Sequence, residues 1–320
     1  MTGVSSISHR VPIALVGLGD IGVTAHLPAL QRNPDVHVAA LVDPVASRRD
    51  AVAGLAPTFG SVEEVPDDVR AIVLATPPWV TTSLAASQLR AGRFVLAEKP
   101  IATSVAAAEP LLHAPTDRLQ VGLTYRHDPA LEALRSWIAE QPGPLLIRAH
   151  IYDERRDPAD GELMERIRAD LEHGPPVMHE GSHVFDWLTF LLGSGPDAIE
   201  DAWALRTGDL VNLGGARLSY PGGHVALVEF GWWTAELPRC ELSVLADSGY
   251  ALLDGFSFDL RLSGELVRFP GERMARCFDR QLERFVELVR GGRAVPGFSD
   301  GLTALQISES VAAAAAGARS

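Results

Sequence analysis

From Val11 to about Leu123, short apolar runs alternate with stretches in which apolar residues recur at helical spacing. That alternation predicts βαβ units built on a parallel sheet. Strands are expected at Ile13 to Gly17, Val36 to Val42, Ala71 to Ala75, Phe94 to Ala97 and Leu119 to Leu123. Their Val, Ile, Leu and Ala residues show no polar alternation, as befits strands covered on both faces. Beyond about residue 145 the pattern changes. Leu145 to Ile151, His224 to Phe230 and Glu241 to Leu245 alternate apolar and polar side chains, which predicts an antiparallel sheet with one open face. Val184 to Leu192 is apolar on most sides and stops before Gly193, the pattern of a core helix closed by a glycine.

A chain of 320 residues accommodates two domains at about 150 residues each. The apolar fraction of 47% against 22% charged residues fits a globular protein, and 29 glycines and 22 prolines spread along the chain exclude low-complexity and repeat architectures. A net charge of -13 with no Lys/Arg stripe repels phosphate backbones and anionic lipid, so neither nucleic acid nor membrane is expected as a partner. Cys240 and Cys277 lie far apart and make neither a disulfide framework nor a Cys-rich metal site. Met1 to Arg10 lacks a basic stretch followed by an apolar one, and no apolar run reaches the roughly 18 residues that span a bilayer. A soluble cytoplasmic protein is the expectation.

The first strand runs into Gly17-Leu18-Gly19-Asp20-Ile21-Gly22 and then a helix through Leu30. This is the G-x-G-x-x-G spacing in the strand-to-helix context that gives it meaning. Gly17 permits the tight turn, Gly19 lets the backbone approach a pyrophosphate, and Gly22 lets the helix pack on the strand, its N-terminus facing the anion. Asp43 ends the second strand about 20 residues on, where a carboxylate meets the ribose hydroxyls. It would repel a 2′-phosphate, so NAD is favoured. Arg48 and Arg49 nearby keep NADP open. Without the flanking elements and Asp43, the glycines would read as a tight turn with no ligand.

Two later strand ends carry residues that packing does not explain: Ala75-Thr76-Pro77-Pro78 and Ala97-Glu98-Lys99-Pro100. Together they resemble the Gfo/Idh/MocA family of glucose-fructose oxidoreductase-like and inositol dehydrogenase-like enzymes. Tyr125-Arg126-His127-Asp128-Pro129-Ala130 is similar to that family's crossover into a substrate domain, and Gly174 to Asp186 is similar to its G-G-x-x-x-D-x-x-x-H-x-x-D helix start. Phe278 to Arg290 and Ser299 to Ala313 look like its two closing helices. The resemblance implies an N-terminal Rossmann dinucleotide-binding domain (1–123). It also implies a C-terminal α+β domain (124–320) for substrate binding and oligomerisation, with a large, mostly antiparallel, open-faced sheet. It implies contacts between copies on that face, hence a homodimer or homotetramer. Trp232 and Trp233 are candidates for such a surface, with core or cross-strand packing as the plainer reading.

Moving a hydride from an alcohol requires a cofactor to accept it, a base for the hydroxyl proton, and donors near the developing alkoxide. By resemblance, Lys99 bonds the substrate oxygen beside the nicotinamide and His183 exchanges the proton; an imidazole, ordinarily titrating near pH 6.5, acts in either direction. The cofactor set comprises Gly17, Gly19, Asp20, Ile21, Gly22, Asp43, Thr76, Pro77, Glu98 and Lys99. The substrate set comprises Tyr125, Arg126, His179 and His183, with a structural role at the domain junction equally open for Tyr125 and Arg126. The implied function is an NAD(P)-dependent dehydrogenase or reductase acting on a secondary alcohol or ketone of a sugar, sugar derivative or cyclic polyol.

Two positions depart from the family pattern. The acid that precedes the histidine by four residues is His179 here, on the same helix face as His183 and Asp186; this makes the site more basic and puts it in the catalytic set. Thr81 stands where a histidine often follows the Thr-Pro loop. His179-Glu180-Gly181-Ser182-His183 also matches the H-E-x-x-H zinc pattern. A zincin needs a third ligand, for which Asp186 and Glu200 are the nearby candidates, and Gly181 weakens a two-histidine helical clamp; no metal is expected. Tyr152, Asp153, Arg155 and Arg156 enter a polar loop that either shapes specificity or is a solvated face. The substitution at 179 motivates the competing reading, a non-catalytic nucleotide-binding sensor of the same fold.

Overall fold

A computed structural model describes residues 10–152, 161–207, 210–232, 240–255 and 257–317. Trp233, Asp153, Arg155 and Arg156 lie outside these residues. The chain forms two compact units, one of Met1–Ala102, Ala106–Thr124 and Met274–Asp300, the other of Thr103–Val105, Tyr125–Arg273 and Gly301–Ser320.

In the first unit the unbroken apolar runs become strands. Its elements are β1 (Val11–Val16), α1 (Leu27–Arg32), β2 (Val36–Val42), α2 (Ala46–Ala51), β3 (Thr58–Phe59), β4 (Ala71–Leu74), α3 (Pro78–Arg90), β5 (Phe94–Glu98), α4 (Glu109–Leu112) and β6 (Leu119–Gly122). All pair in parallel, in the order β3-β2-β1-β4-β5-β6. Every residue of β4 is buried, which explains why it carries no polar alternation. Strand order reverses beside β1, the switch point at which open α/β sheets take ligands on their carboxyl edge. Two details exceed the sequence expectation. The short β3 adds to the edge beside β2, and the helix after the glycines opens with a π turn at Gly22–His26 before α1.

The second unit follows with α5 (Pro129–Ala139), β7 (Leu146–Tyr152), α6 (Gly161–Glu172), α7 (Pro176–Leu192), β8 (Ala198–Thr207), β9 (Leu210–Tyr220), β10 (His224–Gly231), β11 (Cys240–Ala246), β12 (Gly249–Asp254), β13 (Leu260–Leu262) and β14 (Glu265–Val267). Its sheet runs β14-β13-β12-β11-β7-β10-β9-β8 and is antiparallel except where β7 meets β10. Alternation decides its faces. Ile147, Ala149 and Ile151 of β7 are buried, as are Ala226, Val228 and Phe230 of β10, on the side where α7 packs. The opposite face is open.

Two helices close the chain, α8 (Arg273–Val289) and α9 (Phe298–Gly317). The structure differs here from contiguous domains at 1–123 and 124–320, because Met274–Asp300 goes with the first unit. The reason is burial: Phe278, Leu282, Phe285 and Val286 share a core with Ile13, Leu15, Leu30 and Val73. Gln281 reinforces the return, its side chain accepting from Thr124 Oγ1 at 2.9 Å while its carbonyl accepts from Gln120 Nε2 at 2.9 Å.

Within the second unit α9 crosses α7 closely at Gly181, where an added Cβ would lie 2.5 Å from Ser308 Oγ and 2.9 Å from Phe185 Cε2. Overpacking of this kind costs about 1–3 kcal/mol, against a gain of about 1 kcal/mol in helix propensity. Gly181→Ala is therefore expected to lower the thermal unfolding midpoint, with partial recovery in Gly181→Ala/Ser308→Gly. A midpoint that rises would show that the crossing is loose.

Candidate functional site

The carboxyl edge of the first unit's sheet gathers the cofactor candidates. Gly17 adopts φ +96°, and a Cβ there would sit 2.3 Å from Ala75 O. Only glycine fits. At Gly22 a Cβ would lie 2.1 Å from Gly17 O, whereas at Gly19 it would meet nothing within 4 Å. The outer glycines are thus demanded by protein packing, and the middle one faces open space, as required where a backbone N–H approaches a pyrophosphate. Asp20 and Ile21 begin the helix, and Thr24 Oγ1 donates to Asp20 O at 2.7 Å.

Asp43 is 1% exposed. Its Oδ2 accepts from Leu18 N at 2.9 Å and its Oδ1 from Val45 N at 2.8 Å. The carboxylate therefore braces the glycine loop before it meets any ribose, and Oδ1, with one donor, retains a second lone pair for a hydroxyl. Arg48 Nη1 lies 3.4 Å from Oδ2, and Arg49 Nη1 donates to Asp43 O at 2.6 Å and Pro44 O at 3.0 Å. Loop shape, acceptor and helix start all fit a dinucleotide.

Thr81 pins the Thr76-Pro77 turn. Its Oγ1 lies 2.7 Å from Thr76 Oγ1 and donates to Thr76 O at 2.8 Å. A hydroxyl at 81 thereby shapes the turn from within α3, a role that its departure from the family histidine did not foretell. On β5, Glu98 bonds His26 and Lys99 follows at the strand end.

In the second unit α7 presents His179 and His183 one turn apart, both buried. The His183 ring lies 4.4 Å from that of Tyr125, which also meets Trp187 at 5.8 Å and Phe258 at 5.3 Å. The Arg273 guanidinium lies over Tyr125 at 4.9 Å and Phe258 at 4.8 Å. The His179 ring meets that of Trp232 at 4.9 Å, tilted by 37°, and its Nε2 lies 3.3 Å from Gly174 O. Tyr125 and His183 are thus brought together as a wall of rings. Arg126 is placed differently: its guanidinium forks onto Asp186, with Nε donating to Oδ2 at 3.1 Å and Nη2 to Oδ1. That pair braces the start of the unit against α7.

Sequence reasoning missed Phe258, Trp187, Arg273, Asn212 and His26. Phe258 is fully buried at φ +54°, a conformation that a bulky side chain adopts only under constraint. Trp187 Nε1, Trp232 Nε1 and both amide atoms of Asn212 are buried without a protein partner. No local spacing signals any of these, since each acquires its neighbours through strand and helix packing. Trp232 is buried core rather than surface. Among the described residues no group of three or more His, Cys, Asp or Glu side chains converges as a metal site.

The profile of the oxidoreductase family with an NAD-binding Rossmann fold matches residues 11–124. A dTDP-3,4-didehydro-2,6-dideoxy-alpha-D-glucose 3-reductase from Streptomyces antibioticus is 36% identical over 77% of this chain and 76% of its own. An inositol 2-dehydrogenase from Corynebacterium glutamicum is 27% identical over 91% of this chain and 89% of its own. Among solved structures, the 3-ketoreductase KijD10 from Actinomadura kijaniata, crystallised with NADP and TDP-benzene, shares the fold at a TM-score of 0.81, with 20% identity over 95% of this chain and 98% of its own.

Proposed function

We propose, because this chain belongs to the Gfo/Idh/MocA oxidoreductase family with its NAD-binding Rossmann fold, that it interconverts a secondary alcohol and ketone on a sugar, sugar derivative or cyclic polyol. The observation that carries the reading is the glycine loop at the switch point of the parallel sheet, open at Gly19 and braced by Asp43. The inositol dehydrogenase and the sugar 3-reductase among its relatives support the substrate class. A bound nicotinamide supplies the acceptor or donor of the hydride.

The chain's own residues supply the rest. Gly17, Gly19 and Gly22 shape the phosphate cradle, with Asp20 and Ile21 starting its helix and Thr76 and Pro77 flanking it. Asp43 offers acceptors to the adenosine ribose, favouring NAD, while Arg48 and Arg49 leave NADP admissible. Lys99 hydrogen-bonds the reacting oxygen and stabilises its charge. His183 takes or returns the hydroxyl proton, with Tyr125 fixing the ring. His179 bears on substrate preference through its place on the same helix face. The family acid is absent at 179, so the proton route runs through imidazole.

Titrating the protein with NAD and NADP, then adding a panel of sugars and polyols while following the reduced-nicotinamide band, tests the reading. Saturable binding with turnover of at least one polyol is expected. Binding without turnover of any alcohol or ketone would favour the sensor instead, and no binding would remove both.

The open sheet face supports assembly into a homodimer or homotetramer. Trp203, Leu205, Leu245 and Tyr250 are exposed on it, and strand register aligns Trp203 with Gly215 and Glu229 on that same side. Trp203 and Leu205 on β8, and Leu245 and Tyr250 on β11 and β12, are two exposed apolar pairs on this face, and exposed apolar surface of this kind suits a protein contact. Leu245→Arg is expected to reduce the mass found by sedimentation to that of one chain. An unchanged mass would move the contact elsewhere.

A further inference from the structure

Glu98, a cofactor candidate by sequence, turns its carboxylate inward. Its Oε1 lies 2.8 Å from Nε2 of His26, and its Oε2 accepts the backbone N–H of Lys99 at 3.2 Å. His26 comes from the far side of the glycine loop, as the last residue of the π turn Gly22–His26. One carboxylate therefore ties the helix that starts at the phosphate cradle to the residue at the end of β5. The two side chains are 4% and 12% exposed. The enclosure is specific: Phe278 meets the His26 ring edge-on at 4.9 Å, and a Cβ at Gly122 on β6 would come within 3.0 Å of Glu98 Oε1.

We infer that His26 is a positioning residue for Lys99, acting through Glu98. The inference deepens the proposed function, because it rests on the assignment of Lys99 to the reacting oxygen. Physically, a carboxylate taken largely out of water needs donors. His26 and the Lys99 backbone provide them, which fixes where the chain leaves β5 and holds the negative charge of Glu98 against the imidazole. Without His26, that carboxylate must find another donor beside Lys99. The bond from Lys99 N to Glu98 Oε2 then no longer anchors the end of β5 in one place, and the position of the Lys99 side chain is loosened with it.

The test separates positioning from folding and from catalysis. In His26→Leu, modification of Lys99 by an amine-specific reagent on cofactor-free protein, read by peptide mass spectrometry, is expected to change about fivefold, since the surroundings that set the reactivity of the ammonium follow the backbone anchor at Lys99 N. Turnover is expected to fall through kcat about tenfold, as for a misplaced catalytic group, with a smaller change in KM. His26→Gln places an amide nitrogen where Nε2 stood and is expected to restore both. Lys99 reactivity equal to that of the parent in a folded His26→Leu protein overturns the inference, as does His26→Gln regaining thermal stability but not reactivity. The labelling arm needs no turnover, so a failure of the proposed function shows separately, in the panel of alcohols.

Discussion

Lys99→Ala is expected to lower kcat/KM for alcohol oxidation by about 10²–10³, the loss that follows removal of one preorganised donor to a developing oxyanion, with NAD still bound. Such a loss corresponds to about 3–4 kcal/mol of transition-state stabilisation. The asymmetry between turnover and binding follows from position. Lys99 stands at the end of β5, whereas the phosphate cradle is made by the backbone from Gly17 to Gly22 between β1 and α1. His183→Asn is expected to lose the proton-transfer share, about 10²–10⁴. Stopped-flow or steady-state absorbance of the reduced nicotinamide reads both variants, and calorimetry reads binding. A lysine that only paired with a neighbouring acid would leave kcat intact, and turnover surviving both substitutions would remove the assigned chemistry.

Asp186→Ala is the second large effect, on stability rather than chemistry. Arg126 and Asp186 are 12% and 2% exposed in their side chains and share a two-bond fork. Removing the acid leaves a guanidinium in a site built for a pair, and breaking a buried pair costs about 3–5 kcal/mol. Arg126 also lies 5.6 Å over Phe190 of α7, so its displacement disturbs the helix that carries His179 and His183. The expected result is a clear fall in the thermal midpoint, followed by tryptophan fluorescence, with weakened turnover and intact NAD binding. Arg126→Met/Asp186→Leu should recover most of the stability, because apolar replacement of both partners is often neutral or better. A midpoint untouched by Asp186→Ala would show that the fork carries no net stability.

Residues that make sense with near neighbours were legible in advance. The glycine loop, the apolar strands around it and the glycine closing α7 follow from local conformational rules, and Gly193 indeed takes φ +76° after Leu192. The alternation in β7, β10 and β11 likewise announced which side chains would be covered. Where a residue depends on a distant partner, local reading does not name that partner. Glu98 is expected from the sequence among the cofactor contacts and as a residue that fixes the strand end, and the partner of its carboxylate is His26, 72 residues away. For Arg126 a substrate contact and a structural role at the domain junction are both open in the sequence, and its guanidinium bonds Asp186, 60 residues away. Gly181 read as a weakness in a helix, yet it is the point where Ser308 comes close.

The sequence by itself thus determined the parallel sheet, its dinucleotide loop, the open-faced second sheet and the residue types able to handle a hydride and a proton, since period, turn chemistry and propensity act over a few residues. Tertiary structure decided that Met274–Asp300 returns to the first unit, that Asp43 braces the loop from beneath, and which carboxylates are spent on structure. Pairings of buried charges and the packing of helices are settled by desolvation and close contact between segments far apart in the chain, and those forces act only once the fold has brought the segments together.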